Sequence, residues 1–432
     1  MKIFSAIILS IISSTILFML LSPGIAGAAN QNDINQELQQ GGIIHLPAGT
    51  YILTDSIILQ SNTILEGEPG TVITIPDHAG WPAWKPLISG NGVQNVTIRN
   101  LEINANSNGN SETPHGAGYY NCIYMIDCDN IQAYNCTFHD GLGDGLRIKR
   151  SKNIEFYNNL VYRLGHEGFF GIESQYIECF NNRITTRTNS GLRIWNSANV
   201  RFHDNVIDAQ LDAGGGDSGI QIEDSNGTVG NVEIYNNVLN RTWGKGVWLV
   251  AYDSGVSNTQ EVLIHHNLFY ETGQSYNIPS TGGIVNDGFQ GTQIYNNVFD
   301  GVKNNAFRNQ AEGQGTVIKD NVFTNTIQHA AISQTGTGYA IADLAGANLS
   351  VTNNSFYNNE NGDVYQTSIS NADFRDPETH QTSSGWTWTG STWTCKSVKP
   401  MELGSIPLTT TIRLRLMAII YSIFYCKFFV VS

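Results

Sequence analysis

Charged residues are scarce in this sequence, making up 14% of 432 residues, and basic residues are the scarcer kind. Lysine and arginine number 23 against 37 aspartate and glutamate residues, for a formal net charge of −14. So acidic a chain is a poor partner for nucleic acid, whose phosphates attract basic surfaces. The chain also holds 44 glycines, 18 tyrosines and 18 phenylalanines. This mixture favours strands and turns over disorder.

Cysteine is rare, with six residues spread unevenly along the chain. This pattern differs from that of small disulfide-stapled domains, and no nearby histidines give the spacing of a zinc site. Cys122 and Cys128 are predicted to share one strand. Six extended residues span roughly 20 Å, which excludes a disulfide between them. We expect buried free thiols.

Long apolar runs occur only at the two ends. Met1 and Lys2 precede an apolar segment over residues 3–21, and Ala26-Gly27-Ala28 has the small-residue pattern of a cleavage site. We therefore predict a signal peptide over residues 1–28 and a secreted or cell-surface protein, with an uncleaved membrane anchor as the alternative. The apolar tail at 400–432 is predicted to be either a peripheral anchor or a segment unrelated to the fold.

Internal repetition determines the fold prediction. An Asn-Asn or Asp-Asn doublet, or a His-Asn variant of it, follows successive strand-like runs. It ends at Asn159, Asn205, Asn237, Asn267, Asn297, Asn321 and Asn354. In the most regular part, Cys136, Asn159, Asn182 and Asn205 lie 23 residues apart. A period of this length suits one coil of three short strands and three turns, with coils stacked ~4.8 Å apart. The stacked asparagines are expected to hydrogen-bond along their column.

These features predict an all-β protein, a single-stranded right-handed parallel β-helix with three short strands per coil. About ten coils should run from Ile64 to Phe356, as a rod roughly 50 Å long. The predicted β-helix domain covers residues 29–375. A tail rich in Trp, Ser and Thr follows at 376–399, where Trp386, Trp388 and Trp393 could stack on sugar or cap the rod.

The first coils also carry a family resemblance. The segments from Leu46 to Tyr51, Ile57 to Leu59 and Asn62 to Gly67 resemble the opening of right-handed β-helix carbohydrate enzymes. That group includes pectate lyases, polygalacturonases and alginate epimerases. The aromatic, Asn-rich coils from Gly116 to Asn297 resemble archaeal disaggregatases, secreted proteins implicated in dissolving the polysaccharide of cell aggregates. The resemblance covers most of residues 43–360 and implies activity on a glycan.

Strand alternation predicts an outward face. Leu146 and Ile148 must face the narrow core, so Arg147 and Lys149 point outward. The register then places aromatic and cationic side chains in two outward columns, which suits a sugar polymer that carries carboxylates. An ordinary solvated face is the alternative. The residues predicted to bind substrate are Tyr124, Arg147, Lys149, Arg193, Trp195, Gln221 and Trp248.

Two further features sharpen this prediction. A glycine column, Gly145, Gly168, Gly191, Gly219 and Gly246, could leave a trough beside the outward face or simply permit the bend into the strand. Between residues 145 and 201 nine basic residues stand against four acidic ones. Such a cationic patch on an acidic protein implies a polyanionic ligand, most simply a glycan that contains uronate.

The predicted catalytic residues lie in the turn before the strand that carries Arg147 and Lys149, and in the same turn of the next coil. Asp144 and Glu167 should stack ~5 Å apart at their backbones, with His166 beside them. Two carboxylates this close raise each other's proton affinity, so Glu167 could act as proton donor while Asp144 stays ionised. The histidine would tune their protonation. A ladder that stabilises the turn, or a calcium site, would also explain the pair.

Calcium could be held by Asp144 and Glu167. A second possible calcium site is the long turn at 208–218, which contains Asp208, Asp212 and Asp217. No cofactor is predicted to be required. Arg147-Ile148-Lys149 resembles the substrate-binding segment of polygalacturonases, whose adjacent aspartate pair has no counterpart here.

The predicted function is therefore a secreted, monomeric polysaccharide depolymerase that acts on an acidic extracellular glycan and disperses cell aggregates. Hydrolysis is favoured over elimination. A polysaccharide C5-epimerase and a non-catalytic glycan-binding surface protein are the alternatives. No nucleic-acid partner is expected, and no membrane contact beyond the signal peptide or the C-terminal segment.

Overall fold

Three parallel sheets wind around one core. The computed structural model describes residues 31–111, 120–186, 189–208, 218–252, 261–275, 280–311, 313–329, 335–347 and 349–365, and short strands at 374–375, 386–388 and 393–395. Successive strands along the chain fall into the first, second and third sheet in turn, and the order then repeats. The fold is therefore a parallel β-helix with three strands per coil, as predicted.

The first sheet has twelve strands: β1 Gly42–Leu46, β4 Thr63–Gly67, β7 Gln94–Arg99, β10 Asp129–Tyr134, β13 Lys152–Tyr157, β16 Gln175–Phe180, β19 Ala198–His203, β22 Gly230–Tyr235, β25 Val262–His265, β28 Gln293–Tyr295, β31 Val317–Lys319 and β34 Ser350–Thr352.

The second sheet has thirteen: β2 Gly49–Ile52, β5 Thr71–Thr74, β8 Glu102–Asn104, β11 Thr137–Gly141, β14 Leu160–Leu164, β17 Arg183–Thr186, β20 Val206–Ile207, β23 Val238–Asn240, β26 Leu268–Tyr270, β29 Val298–Asp300, β32 Val322–Thr324, β35 Asn354–Tyr357 and β37 Phe374–Arg375.

The third sheet has twelve: β3 Ile57–Ile58, β6 Ile88–Asn91, β9 Ile123–Ile126, β12 Leu146–Lys149, β15 Phe169–Ile172, β18 Leu192–Trp195, β21 Ser218–Asp224, β24 Lys245–Ala251, β27 Gly282–Asp287, β30 Phe307–Ala311, β33 Tyr339–Asp343 and β36 Gly362–Tyr365. In the tail, β38 Trp386–Trp388 and β39 Trp393–Cys395 pair antiparallel with each other.

The Asn-Asn doublet builds the corner between the first and second sheets. Its first residue, as at Asn158 and Asn181, adopts the left-handed conformation, with φ of 55° and 53°, which asparagine tolerates better than most residues. Its second residue is buried, and its side chain bonds to the preceding coil. The side-chain oxygen of Asn182 accepts the backbone N–H of Asn159 at 3.0 Å, while its amide nitrogen donates to the Phe156 carbonyl at 2.8 Å. The same pattern continues to Asn354.

A serine ladder, which the sequence analysis missed, occupies the corner between the third and first sheets. The hydroxyl oxygens of Ser151, Ser174 and Ser197 each accept the backbone N–H of the corresponding residue in the preceding coil at 3.0 Å. Arg150 and Glu173, which precede the first two serines, are again left-handed. Two of the three corners thus lock the coils in register with repeated side-chain bonds.

The core is one continuous apolar cluster from Ile34 to Phe356. Alternation places the even side chains of β12, Leu146 and Ile148, inside with no exposed surface. Aromatic rings stack along the second sheet, where the centroids of Phe269 and Phe299 are 4.5 Å apart. Burial of this cluster is the main source of stability, because every coil shares it with both neighbours.

A short helix, α1 at Gln31–Leu38, covers the N-terminal end of the rod. Ile34 and Leu38 are buried against the first coil, and the Asn35 side chain bonds to the backbone of Ser56 and Ile58. The helix was not predicted. By covering the first coil it protects the end of the stack from pairing with another chain. No helix in the described part of the chain is long and apolar enough to span a membrane.

The number of coils and the state of the cysteines are both visible in the fold. The repeat was predicted to give about ten coils over Ile64–Phe356. The structure has twelve over the longer range from Gly42 to Tyr365, and eleven of the twelve first-sheet strands lie wholly or mostly within the predicted range. The four described cysteines that carry no disulfide, Cys122, Cys128, Cys136 and Cys179, are buried, as expected. Residues 1–30 and 400–432, with the predicted signal peptide and apolar tail, lie outside the described residues.

The prediction that the glycine column leaves a trough beside the outward face is wrong. A Cβ added at Gly145 would lie 2.6 Å from the carbonyl oxygen of Gly168, and one at Gly168 would lie 2.6 Å from that of Gly191. These buried glycines therefore allow adjacent coils to approach closely and leave no open trough. None of the five has a positive φ, so their role in the bend into the third sheet stays a prediction.

The ladder predicts a mutational effect. Replacing Asn182 by leucine should lower the free energy of unfolding by roughly 1–3 kcal/mol, because the Asn159 N–H and the Phe156 carbonyl would lose their buried partner. Denaturant-induced unfolding, followed by circular dichroism, measures the loss. Gln293→Leu, at an exposed position of the same sheet, is the control and should change stability by less than about 0.5 kcal/mol. Equal effects of the two variants would contradict the ladder's role.

Candidate active site

The outer face of the third sheet carries the predicted columns in the predicted register. Tyr124 pairs with Arg147, Arg147 with Phe170, and Phe170 with Arg193. Gln221 and Trp248 follow in the next two coils. The positions of these side chains along the rod were therefore predicted correctly, because a strict repeat leaves no freedom of register.

Their exposure differs from the prediction. Phe170 is only 2% exposed, because the Arg147 and Arg193 guanidinium groups lie 4.9 and 4.4 Å from its ring centroid, on the strands to either side. Cation–π contacts of this kind hold arginines in fixed positions. The side chains of Arg147, Phe170 and Arg193 thus stack on one another in a pile, and the Phe170 ring has no free face on which a sugar could stack.

Gln221 and Trp248 are also less available than predicted. Gln221 is 3% exposed; its oxygen accepts the Ser190 hydroxyl at 2.7 Å and its nitrogen donates to Glu223. This burial leaves little of the Gln221 side chain for direct contact with a substrate, and its binding role stays a prediction. The Lys245 ammonium lies 3.8 Å from the Trp248 ring centroid, which occupies that part of the ring.

Exposed aromatic rings flank the pile. Trp195, a predicted binding residue, is 37% exposed. Trp84, which the sequence analysis missed, is 46% exposed, and its ring centroid lies 4.9 Å from the Arg147 guanidinium carbon. It comes from the irregular segment between β5 and β6, so the repeat gives no signal for its position. Both rings can offer a face to a sugar.

Asp144, His166 and Glu167 come together as predicted. The His166 Nδ1 lies 2.6 Å from the Asp144 Oδ1 and also contacts a Glu167 carboxylate oxygen. One candidate ligand atom from each of the three lies within 4.8 Å of the others. The Asp144 Oδ1 in addition accepts the backbone N–H of Glu167 at 2.9 Å, so the predicted ladder bond is present alongside the cluster.

Two arginines neutralise this cluster from the outer face. Arg147 donates to the Asp144 Oδ2 at 3.2 Å, and Arg193 donates to the Glu167 Oε1 at 2.8 Å. Arg193 also binds Glu223 at 2.7 Å, and the Tyr252 hydroxyl donates to Glu223 at 2.8 Å. Glu223 pairs with Trp195 of the preceding coil, and the sequence carries no sign of its contact with Arg193, because the repeat does not reveal where a long arginine side chain ends.

Charges within this network set its proton affinities. Burial raises the pKa of Glu167, and the nearby Asp144 raises it further; His166 and Arg193 oppose this, leaving a pKa of about 7. Burial alone would lower the pKa of His166, but the Asp144 and Glu167 carboxylates raise it to about 9. Burial acts to raise the pKa of Asp144 as well, yet His166 and Arg147 hold it below its usual range.

Asp144, His166 and Glu167 differ in how far a ligand can reach them. The Asp144 and Glu167 side chains have no exposed surface, whereas His166 is 13% exposed. A sugar on this face can therefore contact His166, Arg147 and Arg193, but neither carboxylate. The expected role of Glu167 as the group that directly protonates the substrate does not fit this burial. His166 is the member of the cluster that can exchange a proton with a ligand.

The predicted calcium sites have different geometries. Asp144, His166 and Glu167 form the one cluster of potential metal ligands in the described part of the chain. Calcium prefers oxygen ligands, so a set that includes an imidazole fits it less well than a transition metal. Asp208 is 6% exposed and accepts the Asn240 side chain at 2.7 Å, while Asp212 and Asp217 lie outside the described residues.

The cationic patch is smaller than predicted. Arg150 pairs with Asp127 at 2.8 Å at the corner between the third and first sheets, and Arg163, on the second sheet, pairs with Asp140. Both are directed away from the outer face of the third sheet. Arg147, Lys149 and Arg193 remain there; Arg187 lies outside the described residues.

Comparison with known proteins agrees with this architecture. A model described as right-handed beta helix region matches residues 87–260, which defines the class as a right-handed parallel β-helix. A second model, described as disaggregatase related, matches residues 229–399. No curated protein matches the sequence.

Solved structures show the same fold at low identity. The A-module of the mannuronan C-5 epimerase AlgE6 from Azotobacter vinelandii has a TM-score of 0.54 and 15% identity, and the match covers 81% of this chain and 97% of that one. Gene product 12 of bacteriophage phi29 has a TM-score of 0.54 and 14% identity, covering 87% and 59%. PfbA, a surface adhesin of Streptococcus pneumoniae, has a TM-score of 0.50 and 15% identity, covering 81% and 90%.

The raised pKa of His166 predicts how stability depends on pH. The imidazolium gains its partners on folding, so its contribution is complete below an unfolded pKa of about 6.5 and is lost as the pH rises through about 9. We expect the free energy of unfolding to fall by up to about 3 kcal/mol between pH 6.5 and 10. Denaturant unfolding across this range measures it. In His166→Asn this fall should largely disappear, and an unchanged pH dependence would contradict the assignment.

Proposed function

We propose that this protein is a secreted enzyme that cleaves an acidic, uronate-containing polysaccharide bound along the outer face of the third sheet. The observation that carries the proposal is a cluster of two buried carboxylates and one partly exposed histidine beneath two arginines stacked on a phenylalanine. Asp144, Glu167 and the neighbouring Glu223 are all buried beside their counter-ions, an arrangement that is costly and more extensive than support of a turn requires.

Binding would use the two arginines and the two exposed tryptophans. Arg147 and Arg193 lie two coils apart, ~10 Å at the strand spacing and about the length of two sugars. Each guanidinium can add a substrate carboxylate to the partners it already has, because it carries five N–H donors. Trp84 and Trp195 would stack on sugars at either end. Lys149, on the same face as Arg147, adds a third cation.

Cleavage would then occur over His166. Breaking a glycosidic bond by hydrolysis requires a proton for the leaving oxygen and a water to attack the sugar carbon. With a pKa of about 9, His166 carries a proton at neutral pH and can donate it. Asp144, kept ionised by Arg147 and His166, would orient the imidazole, and Glu167, with a pKa of about 7, would share protons with it.

The biological role we propose is dispersal of cell aggregates by degradation of their extracellular matrix. The match of residues 229–399 to the disaggregatase-related model supports this role. The predicted signal peptide is consistent with action outside the cell. In this proposal the enzyme acts as a monomer and requires no cofactor, and calcium addition and chelation should leave turnover unchanged.

Product analysis tests the reaction. Incubation with a matrix polysaccharide, read by mass spectrometry, should give shortened chains, with one water added for each bond cleaved. Chains shortened with a rise in absorbance from unsaturated uronate would indicate elimination instead. Inverted uronates without shortening would indicate a C5-epimerase, and no change would indicate a glycan-binding protein. Either of the last two results would overturn cleavage.

The catalytic cluster predicts a clear mutational effect. His166→Asn should reduce kcat by at least ~100-fold, typical of losing a general acid, while polysaccharide binding stays near that of the parent. Glu167→Gln should also reduce kcat, because His166 would lose the carboxylate that shares its proton. His203→Asn is the matched control, because His203 also pairs with two carboxylates but lies on the first sheet. Near-full turnover in His166→Asn would place the active centre elsewhere.

Binding should depend on salt in a residue-specific way. Lys149→Ala should weaken binding of the polysaccharide at low salt and have a smaller effect at high salt, since that contact is ionic and screened. Trp195→Ala should weaken binding at both salt concentrations, because stacking is not ionic. Affinity electrophoresis in gels of increasing ionic strength compares the two variants. Parent-like binding by both would move the substrate to another face.

A further inference from the structure

A second elongated groove lies on the outer face of the first sheet, away from the candidate active site. It has a volume of about 530 Å³, within the range of ligand sites in proteins. One wall is a column of asparagines that includes Asn153, Asn199 and Asn231, and the other contains Glu155, Glu178 and Glu233. The groove crosses the five strands from β10 to β22, a length of ~19 Å, which suits about four sugar residues.

Tyr176 is a residue in this groove whose identity a purely structural role does not explain. It lies between Asn153 and Asn199 in the asparagine column and adopts the same left-handed conformation, with φ of 57°. Asparagine is favoured at such a position and tyrosine is not. The ring is nevertheless 55% exposed beside the groove. An exposed aromatic ring at the edge of a polar groove is a natural stacking surface for a sugar.

The neighbouring aromatic column does not offer such a surface. Tyr157 and Phe180 stack with centroids 4.7 Å apart, and Phe180 and His203 follow at 5.2 Å with nearly parallel planes. The stack continues through Tyr235 and His265. Because each of these rings is covered on both faces by its neighbours, the column forms a wall of ring edges, and Tyr176 is the ring that stands apart from it.

The charge of the groove indicates which glycan it accepts. Arg201 stands between Glu178 and Glu233 in the column, so three carboxylates face one guanidinium. A polyanion would be repelled. The hydroxyls of an uncharged sugar can instead donate to the carboxylates and accept from Arg201 and the asparagine amides. Each carboxylate already accepts at least one side chain. Glu233 accepts His265 at 2.9 Å, and Glu178 accepts both His203 at 3.0 Å and Arg201 at 3.1 Å. These bonds hold the carboxylates in place with acceptor capacity to spare.

We infer that this groove binds an uncharged segment of a glycan chain, at a site separate from the face that we propose for cleavage. The two faces then prefer different ligands. The third sheet presents cationic side chains that suit an acidic glycan, and the first sheet presents carboxylates that suit an uncharged one. A heteropolysaccharide that alternates acidic and neutral regions, or neighbouring chains of different kinds, could engage both faces of one molecule. This inference does not depend on the proposed cleavage reaction.

Affinity electrophoresis of the full-length protein tests it, with gels that contain hydroxyethyl cellulose, galactomannan or dextran and a polygalacturonate gel for comparison. At least one neutral polymer should retard the parent protein. Tyr176→Asn, which restores the residue type of the column and should fold normally, should raise the Kd for that polymer at least tenfold. Tyr357→Asn, at an exposed position of the second sheet, is the matched control and should bind like the parent.

Three results would overturn the inference. The first is that none of the three neutral polymers retards the parent. The second is that Tyr176→Asn is retarded as strongly as the parent. The third is that polygalacturonate is the polymer whose binding Tyr176→Asn weakens, which would make the groove part of an acidic-glycan site. Turnover of acidic polysaccharide by Tyr176→Asn should equal that of the parent, so failure of this inference and failure of the proposed cleavage are distinguishable.

Discussion

The hydrogen bond between an asparagine side chain and the backbone of the adjacent coil is the interaction on which the rest of this molecule depends. It links Asn159 to Asn182 and continues coil by coil to Asn354. Each bond is buried and uses backbone groups that would otherwise be costly to leave without partners. Because the ladder admits one residue per coil, it fixes the register of the three sheets, and with it the neighbours of every side chain on the surface.

The candidate site uses the same device with different side chains. At the corner before the third sheet the Asp144 carboxylate accepts the N–H of Glu167, much as asparagine and serine do at the other corners. A carboxylate at this position supports the turn and also brings a charge. Successive charges one coil apart interact strongly, and the pKa values of His166 and Glu167 are displaced in consequence. Ladder positions can thus hold ionisable groups with displaced pKa values while the backbone keeps the same conformation.

The repeat accounts for what the sequence could predict. A strict 23-residue period as far as Asn205, and the glycine column beyond it, determined which residues are neighbours, so the columns from Tyr124 to Trp248 and the cluster of Asp144, His166 and Glu167 were found correctly. Features that depend on where a long side chain ends were not predictable. The arginines fold onto Phe170 and Glu223, which buries residues that strand alternation alone places outside. Elements outside the repeat, such as Trp84 and α1, carry no periodic signal.

The corners of the coil differ in how much length they tolerate. Between the first and second sheets the link is nearly constant, as in Tyr157 to Leu160 and Phe180 to Arg183, because the ladder occupies it. The link from the second to the third sheet varies from four residues after Gly141 to eighteen after Asn104. The loops beside the candidate site can therefore be exchanged or lengthened while the core keeps its register. Such a scaffold can acquire a new specificity by loop grafting, with little risk to its folding.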